Sequence, residues 1–158
     1  MFGIGDKIVY PMHGAGIIEA IEEKEVLGKK RKYYIVRMPL GNMKVMIPLQ
    51  NVEEIGIREI ISIEEVEQVI AVLGDDISKM PQNWNRRYRA NMDKIKSGDI
   101  YEVAMVVRNL MLRDKEKGLS TGERKMLTNA KQILISEIVL ARDVEEETVE
   151  ELINAAIK

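Results

Sequence analysis

The spacing of hydrophobic and polar positions changes once along this chain, near residue 60. Before that point the apolar runs are short and rich in Val, Ile and Tyr. Met43, Val45 and Ile47 alternate with Lys44 and Met46, as a strand with one covered face requires. Residues 7–10 and 17–26 are predicted as further strands, and so is 33–38, which is rich in β formers. Turns fall at residues 11–16, 27–30 and 39–42, where Pro fixes φ and the glycines allow positive φ. Short strands with turn signals roughly every 8–12 residues predict a small antiparallel barrel or a highly curved sheet.

After residue 60 the period becomes helical. Ser62 and Glu65 form a capping box ahead of Val66, Val69, Ile70 and Leu73, and Gly74 stands where that helix ends. Residues 75–83, with Pro81, read as a linker. Asn83 is the predicted N-cap of a helix running to about residue 97, with Gly98 beyond it. Asp99 and Glu102 repeat the cap pattern before a stripe of Ile100, Val103, Ala104, Val107, Leu110 and Met111, which Gly118 stops. Ser120 and Glu123 cap the next helix, whose stripe includes Met126, Ala130, Leu134 and Ile138. Asp143 and Glu146 are predicted to start a last helix carrying Val149, Leu152 and Ile153. Five narrowly striped helices imply a bundle around a shared core. The fold class is therefore α+β, with a β domain over residues 1–60 and an all-helical domain over residues 61–158.

Composition narrows the chemistry. The 158 residues include no Cys, one His, one Trp, one Phe and ten Met, so the cores are aliphatic. One His without Cys makes no zinc site, and His13 sits in a turn. The glycines complete neither G-x-G-x-x-G nor a P-loop, and no Ser lies in a nucleophile elbow. We therefore expect a non-enzyme with no metal, no cofactor and no small-molecule substrate. The first residues carry neither a basic stretch nor an apolar core, so no signal peptide is expected. No apolar run approaches the roughly 20 residues that span a bilayer. No membrane partner and a cytoplasmic location follow as expectations.

Charge is segregated more sharply than the net value of −2 suggests. Residues 84–132 carry 12 Lys/Arg against 6 Asp/Glu, while residues 133–158 carry 2 against 7. The basic block opens on Asn83-Trp84-Asn85-Arg86-Arg87-Tyr88-Arg89, which places the single Trp and three Arg at a helix start. Helix N-termini favour anions, and an aromatic ringed by arginines suits a wedge at a base step with phosphate clamps around it. The bland alternative is that Trp84 and Tyr88, four residues apart, are core. Arg124 and Lys125 fall in the first turn of a later helix, where a solvated charged face is the competing reading.

Three separated segments, 5–16 (GDKIVYPMHGAG), 83–88 (NWNRRY) and 118–124 (GLSTGER), resemble the CarD/CdnL family of bacterial transcription regulators. The likeness spans essentially the whole chain. It implies a Tudor-like first domain that binds the RNA polymerase β subunit. It implies a helical domain that contacts promoter DNA at the upstream edge of the −10 bubble, with Trp84 in the minor groove. By motif position Arg86 and Arg89 hold the DNA backbone, with Arg87, Arg124 and Lys125 as further basic contacts. On the polymerase side the resemblance points to Lys24, with Arg37 and Lys44 on the same sheet. Met46 departs from the pattern, since several relatives carry arginine there, which shifts that contact toward Lys44. Without the resemblance, an adaptor whose basic helices bind an acidic protein is the competing reading.

Overall fold

The structure, a computed structural model, describes residues 2–157. The outer bounds of the two predicted domains, Met1 and Lys158, lie outside the described residues. The described strands are β1 (Lys7–Tyr10), β2 (Gly14–Val26), β3 (Lys29–Arg37), β4 (Lys44–Pro48) and β5 (Arg58–Glu59). A 3-10 turn (Leu49–Asn51) and a single helical turn, α1 (Val52–Ile55), precede β5. The bundle follows as α2 (Ile63–Leu73), α3 (Trp84–Lys96), α4 (Ile100–Lys117), α5 (Thr121–Arg142) and α6 (Glu146–Ala156). The α+β class is as predicted, and so are the five helices after residue 60. Neither α1 nor β5 was anticipated, because four and two residues are too few to show a period.

All strand pairs are antiparallel, in the order β4-β3-β2-β1-β5, so β4 and β5 are the edges. The register of β2 on β3 shifts between Ile18 and Ala20, leaving Glu19 as a bulge. Bulges bend a strand and increase its twist. On one side of the bulge β2 is largely buried, and on the other it projects with β3 as an exposed ribbon. Ile8, Ile18, Tyr34, Val36, Met38, Ile47 and Ile57 fill the sheet's core. The Tyr34 hydroxyl donates to the Phe2 carbonyl at 2.8 Å, which settles the one polar atom of that buried ring.

The predicted stripes of α2, α4, α5 and α6, Leu152 excepted, meet in one cluster, and Ile95 of α3 joins them. Ser62 and Glu65 form the full capping box, and Asp99 caps α4 through the Tyr101 N–H. The expectation that Asp143 starts the last helix is corrected: it ends α5 in a left-handed conformation, φ 55°. Helix α6 begins after Glu145, which makes no side-chain cap bond. None of the described helices is long and apolar enough to cross a membrane.

Sheet and bundle are joined along α5. Val9 and Ala15 pack on Leu140. The Ala15 N–H donates to Ser136 Oγ at 2.9 Å, and Lys7 Nζ donates to the Leu140 carbonyl at 3.1 Å. At Gly14, φ 106°, a Cβ would lie 2.7 Å from Ser136 Oγ, so only glycine lets the strand approach the helix this closely. Arg58 reaches Glu137 through two hydrogen bonds of 2.8 Å each. Glu137 is fully buried. It also accepts the Ile61 N–H at 2.8 Å, while Arg58 Nε donates to the Gly98 carbonyl. An unpaired carboxylate there would be strongly unfavourable, so this fork fixes how the sheet sits on the bundle.

Candidate nucleic-acid interface

Helix α3 begins at Trp84, with the Asn83 side chain accepting the Arg86 N–H at 3.1 Å. Its buried positions are Arg87, Asn91 and Ile95, one face at a spacing of four. That phase decides the fate of three arginines that composition could not separate. Arg86 and Arg89 point to solvent and make no ion pair among the described residues.

Arg87 turns inward and is 4% exposed. The expectation that it contacts DNA is therefore corrected, because its charge is already spent inside the bundle. Its guanidinium meets Glu123 at 2.7 and 3.2 Å and also donates to the carbonyls of Pro81 and Gln82. Burial pushes the Glu123 carboxyl up; the hydrogen bonds and charge of Arg87, with those of Ser120, reverse that and leave it below its ordinary value. Arg108, counted within the basic block, is buried too and ties α4 to the Val72 carbonyl and the Ser78 hydroxyl.

Trp84 is neither core nor free. It is 42% exposed. One face stacks on Tyr88, with ring centroids 5.2 Å apart and planes 23° from parallel. Its Nε1 donates to Ser120 Oγ at 2.8 Å. Tyr88, partly buried, carries the stack down into the helical core. Arg124 and Lys125, both exposed, stand one turn into α5 from Ser120. Arg124 makes a long, exposed ion pair with Asp114 at 3.6 Å, a kind worth little against solvent. Arg86 and Arg89 on α3, and Arg124 and Lys125 at the start of α5, are exposed cations of the two helices that meet at Trp84.

The sheet residues singled out from sequence separate into two places. Arg37 and Lys44 are cross-strand partners, and both reach Glu19 on the bulge, at 3.5 and 3.3 Å. Met46, two residues along the edge strand β4, is 43% exposed beside them. Lys24 stands apart on the projecting ribbon, opposite Arg31 and 3.7 Å from Glu22. His13 stacks on Tyr10 at 4.1 Å, and partial burial lowers its pKa. No cluster of metal-ligating side chains occurs among the described residues.

The sequence reading missed Glu137, Arg58 and Ser136 as organising residues, and it read Glu123 only as a cap partner, whereas its carboxylate pairs with Arg87. Glu123 lies three residues before Met126 and seven before Ala130, in phase with the buried stripe of α5. Glu137 interrupts the buried run 133–138. An acid inside an apolar stripe signals a buried cation to come, but not which one.

A sheet and a helical bundle are thus locked together along α5, with a half-exposed aromatic at the start of α3. Residues 2–61 match the model of the CarD-like/TRCF RID domain, and residues 68–154 that of the CarD C-terminal domain. The chain is 48% identical over 149 residues to the putative transcription factor YdeB of Bacillus subtilis (strain 168), covering 94% of this chain and 97% of that one. It is also similar to the solution NMR structure of the 72-residue N-terminal domain of Myxococcus xanthus CarD. That match is 36% identical over 37% of this chain and 79% of the other, with a TM-score of 0.33. The chain belongs to the CarD family of transcription factors.

Proposed function

We propose that this transcription regulator binds the RNA polymerase β subunit through its sheet and stabilises the promoter open complex through its bundle. Trp84 enters the minor groove at the upstream edge of the −10 bubble, and Arg86, Arg89, Arg124 and Lys125 hold phosphates around it. The single observation that carries this reading is the half-exposed Trp84 at the first residue of α3, stacked on one face, on a helix that also carries the exposed Arg86 and Arg89. An apolar side chain inserted at a base step must offset an unstacking cost of roughly a few kcal/mol, so it acts where the duplex is already opening. About three to five phosphate contacts give only a modest salt slope, roughly −3 to −4.5 in log–log terms, and weak intrinsic affinity. Tethering to polymerase raises the effective concentration. Likeness to the RID domain supports the tether. The exposed edge strand β4, with Lys44 and Met46, offers a surface for it.

The test is Trp84→Ala. A fully buried Trp cut to Ala costs about 3–5 kcal/mol; with over two-fifths of this one in solvent, we expect about 1–2 kcal/mol by denaturant unfolding. Retention on polymerase stays as in the parent chain, while open-complex lifetime after competitor challenge falls severalfold. An unchanged lifetime removes the wedge. Lost polymerase binding moves the tether to the bundle.

A further inference from the structure

The segment 118–124 is as distinctive as the one containing Trp84, yet the proposed function uses only its Arg124. Two of its residues touch the indole. Ser120 Oγ receives the Nε1–H at 2.8 Å. A Cβ built on Gly122 would stand 3.3 Å from Trp84 Cζ2 and 3.8 Å from Tyr88 Cε2. Nε1 and Cζ2 lie on the same edge of the indole. That whole edge is therefore seated on the first turn of α5, while Tyr88 covers one face. The opposite face and the Cε3–Cζ3 edge remain to account for the exposure.

Ser120 is itself held. It is the N-cap of α5, with its Oγ accepting the Glu123 N–H and donating to Glu123 Oε1, both at 3.2 Å. Glu123 in turn is fixed by Arg87. The chain of contacts runs Trp84, Ser120, Glu123, Arg87 and back to the carbonyls of Pro81 and Gln82, just ahead of Trp84. Both ends of this loop define where the indole stands.

We infer that Ser120 and Gly122 are positioning residues for Trp84: a hydroxyl and an absent side chain on α5 hold the indole upright, with one edge committed and the other presented. The inference rests on the wedge reading of Trp84. A side chain already fixed in its binding pose loses less freedom on contact than one that must be ordered then. The geometry also gives glycine a reason at position 122, inside a helix where it is otherwise unfavourable. A Cβ there would press the indole back by a few tenths of an ångström from its present seat.

The single Trp makes the seat directly readable. In the protein alone, acrylamide quenching and time-resolved anisotropy report Trp84 and nothing else. Ser120→Ala is expected to raise both quenching and ring mobility. It should shorten the open-complex lifetime about three- to tenfold, the size of one lost hydrogen bond. Ser120→Thr, which keeps the hydroxyl and the cap, restores both readouts. Because Ser120→Ala also weakens the cap, Gly122→Ala is the second variant. Alanine favours the helix, so the melting temperature holds or rises, while the indole is displaced and the lifetime shortens. Unchanged quenching and mobility in both variants overturns the seat, whatever DNA does. Mobility raised with an unchanged lifetime overturns its functional role while leaving the wedge intact, provided Trp84→Ala still shortens the lifetime. If Trp84→Ala is silent as well, the wedge reading has failed and the positioning role falls with it.

Discussion

Two carboxylates on the same helix do similar work under different conditions. Glu123 stands near the start of α5 and Glu137 fourteen residues on, roughly 21 Å away at 1.5 Å per residue. Each accepts two hydrogen bonds from an arginine of a distant segment. The Arg87–Glu123 pair is closed, with side chains 4% and 2% exposed. The Arg58–Glu137 pair is open on one side, at 30% and 0%. The first locks the segment that carries Trp84, and the second locks the sheet. Helix α5 is thus a rod with the proposed DNA contact tied to one end and the proposed polymerase contact to the other. A buried ion pair adds little net stability, but it punishes any arrangement that separates its members. That property suits a protein whose two binding surfaces must keep a fixed separation.

The closed pair should be the more sensitive to breakage. Arg87→Ala leaves Glu123 ionised in the bundle, and a loss of about 3–5 kcal/mol in urea unfolding is expected. A loss below about 1 kcal/mol would mean that water reaches Glu123 and the pair is not closed. Arg58→Ala leaves Glu137 with the Ile61 N–H alone. Water can fill part of the half-exposed space left by Arg58, so the expected loss is smaller, about 2–3 kcal/mol. Its signature is different: polymerase binding persists while open-complex lifetime falls, because the separation between the two surfaces is no longer set. With no shared partner and more than about 10 Å between them, the two losses should add within about 0.5 kcal/mol in the double variant. A larger coupling would show that the two ends of α5 are not independent anchors.

Acid sharpens the same contrast. The folded pKa of Glu123 is below its ordinary value of 4.5. A carboxylate so lowered contributes stability that is fully present above the unfolded value and is lost as pH falls through the folded one. Urea midpoints of the parent chain should therefore hold through the mildly acidic range as far as this group is concerned, then fall below about pH 4.5. Arg87→Ala, starting lower, should fall less steeply over that window, since its Glu123 has lost the partner that lowers it. Parallel curves for the two proteins would remove Arg87 as the cause.

The same comparison explains what was legible in the sequence. Periods of two and 3.6 give the strands and helices because each element sees its own burial pattern. Ser62, Asn83 and Ser120 cap as expected, since a cap is settled within three residues. The ion pairs span 36 and 79 residues, and no local period carries such a partner. Arg86, Arg87 and Arg89 differ only in helical phase, and that phase is set by Asn91 and Ile95 further along α3. Asn91 is polar, which hid the stripe. Spacing left Trp84 open between core and wedge. The residues that place it at the surface and hold it there, Ser120 and Gly122, come from a helix that begins 37 residues later.

The smallest expected change in stability comes from the neighbour of the closed pair. Arg86 is one residue from Arg87, exposed, and in the first turn of α3. A cation there opposes the helix dipole, whereas an acid is favoured by roughly 0.3–1 kcal/mol when exposed. Arg86→Glu should therefore hold or slightly raise the melting temperature, with a change within about 0.5 kcal/mol of the parent. Polymerase-bound protein carrying this substitution should nevertheless shorten the open-complex lifetime, and the lifetime's dependence on salt should weaken by about one unit of log–log slope, as for one lost phosphate contact. A substantial fall in melting temperature would make Arg86 a structural cation like Arg87. An unchanged lifetime and salt slope would take it out of the DNA surface while leaving Arg89, Arg124 and Lys125 in place. Arg86 would then be a solvated cation beside the structural Arg87, and the DNA-facing side of α3 would rest on Arg89 alone among its arginines.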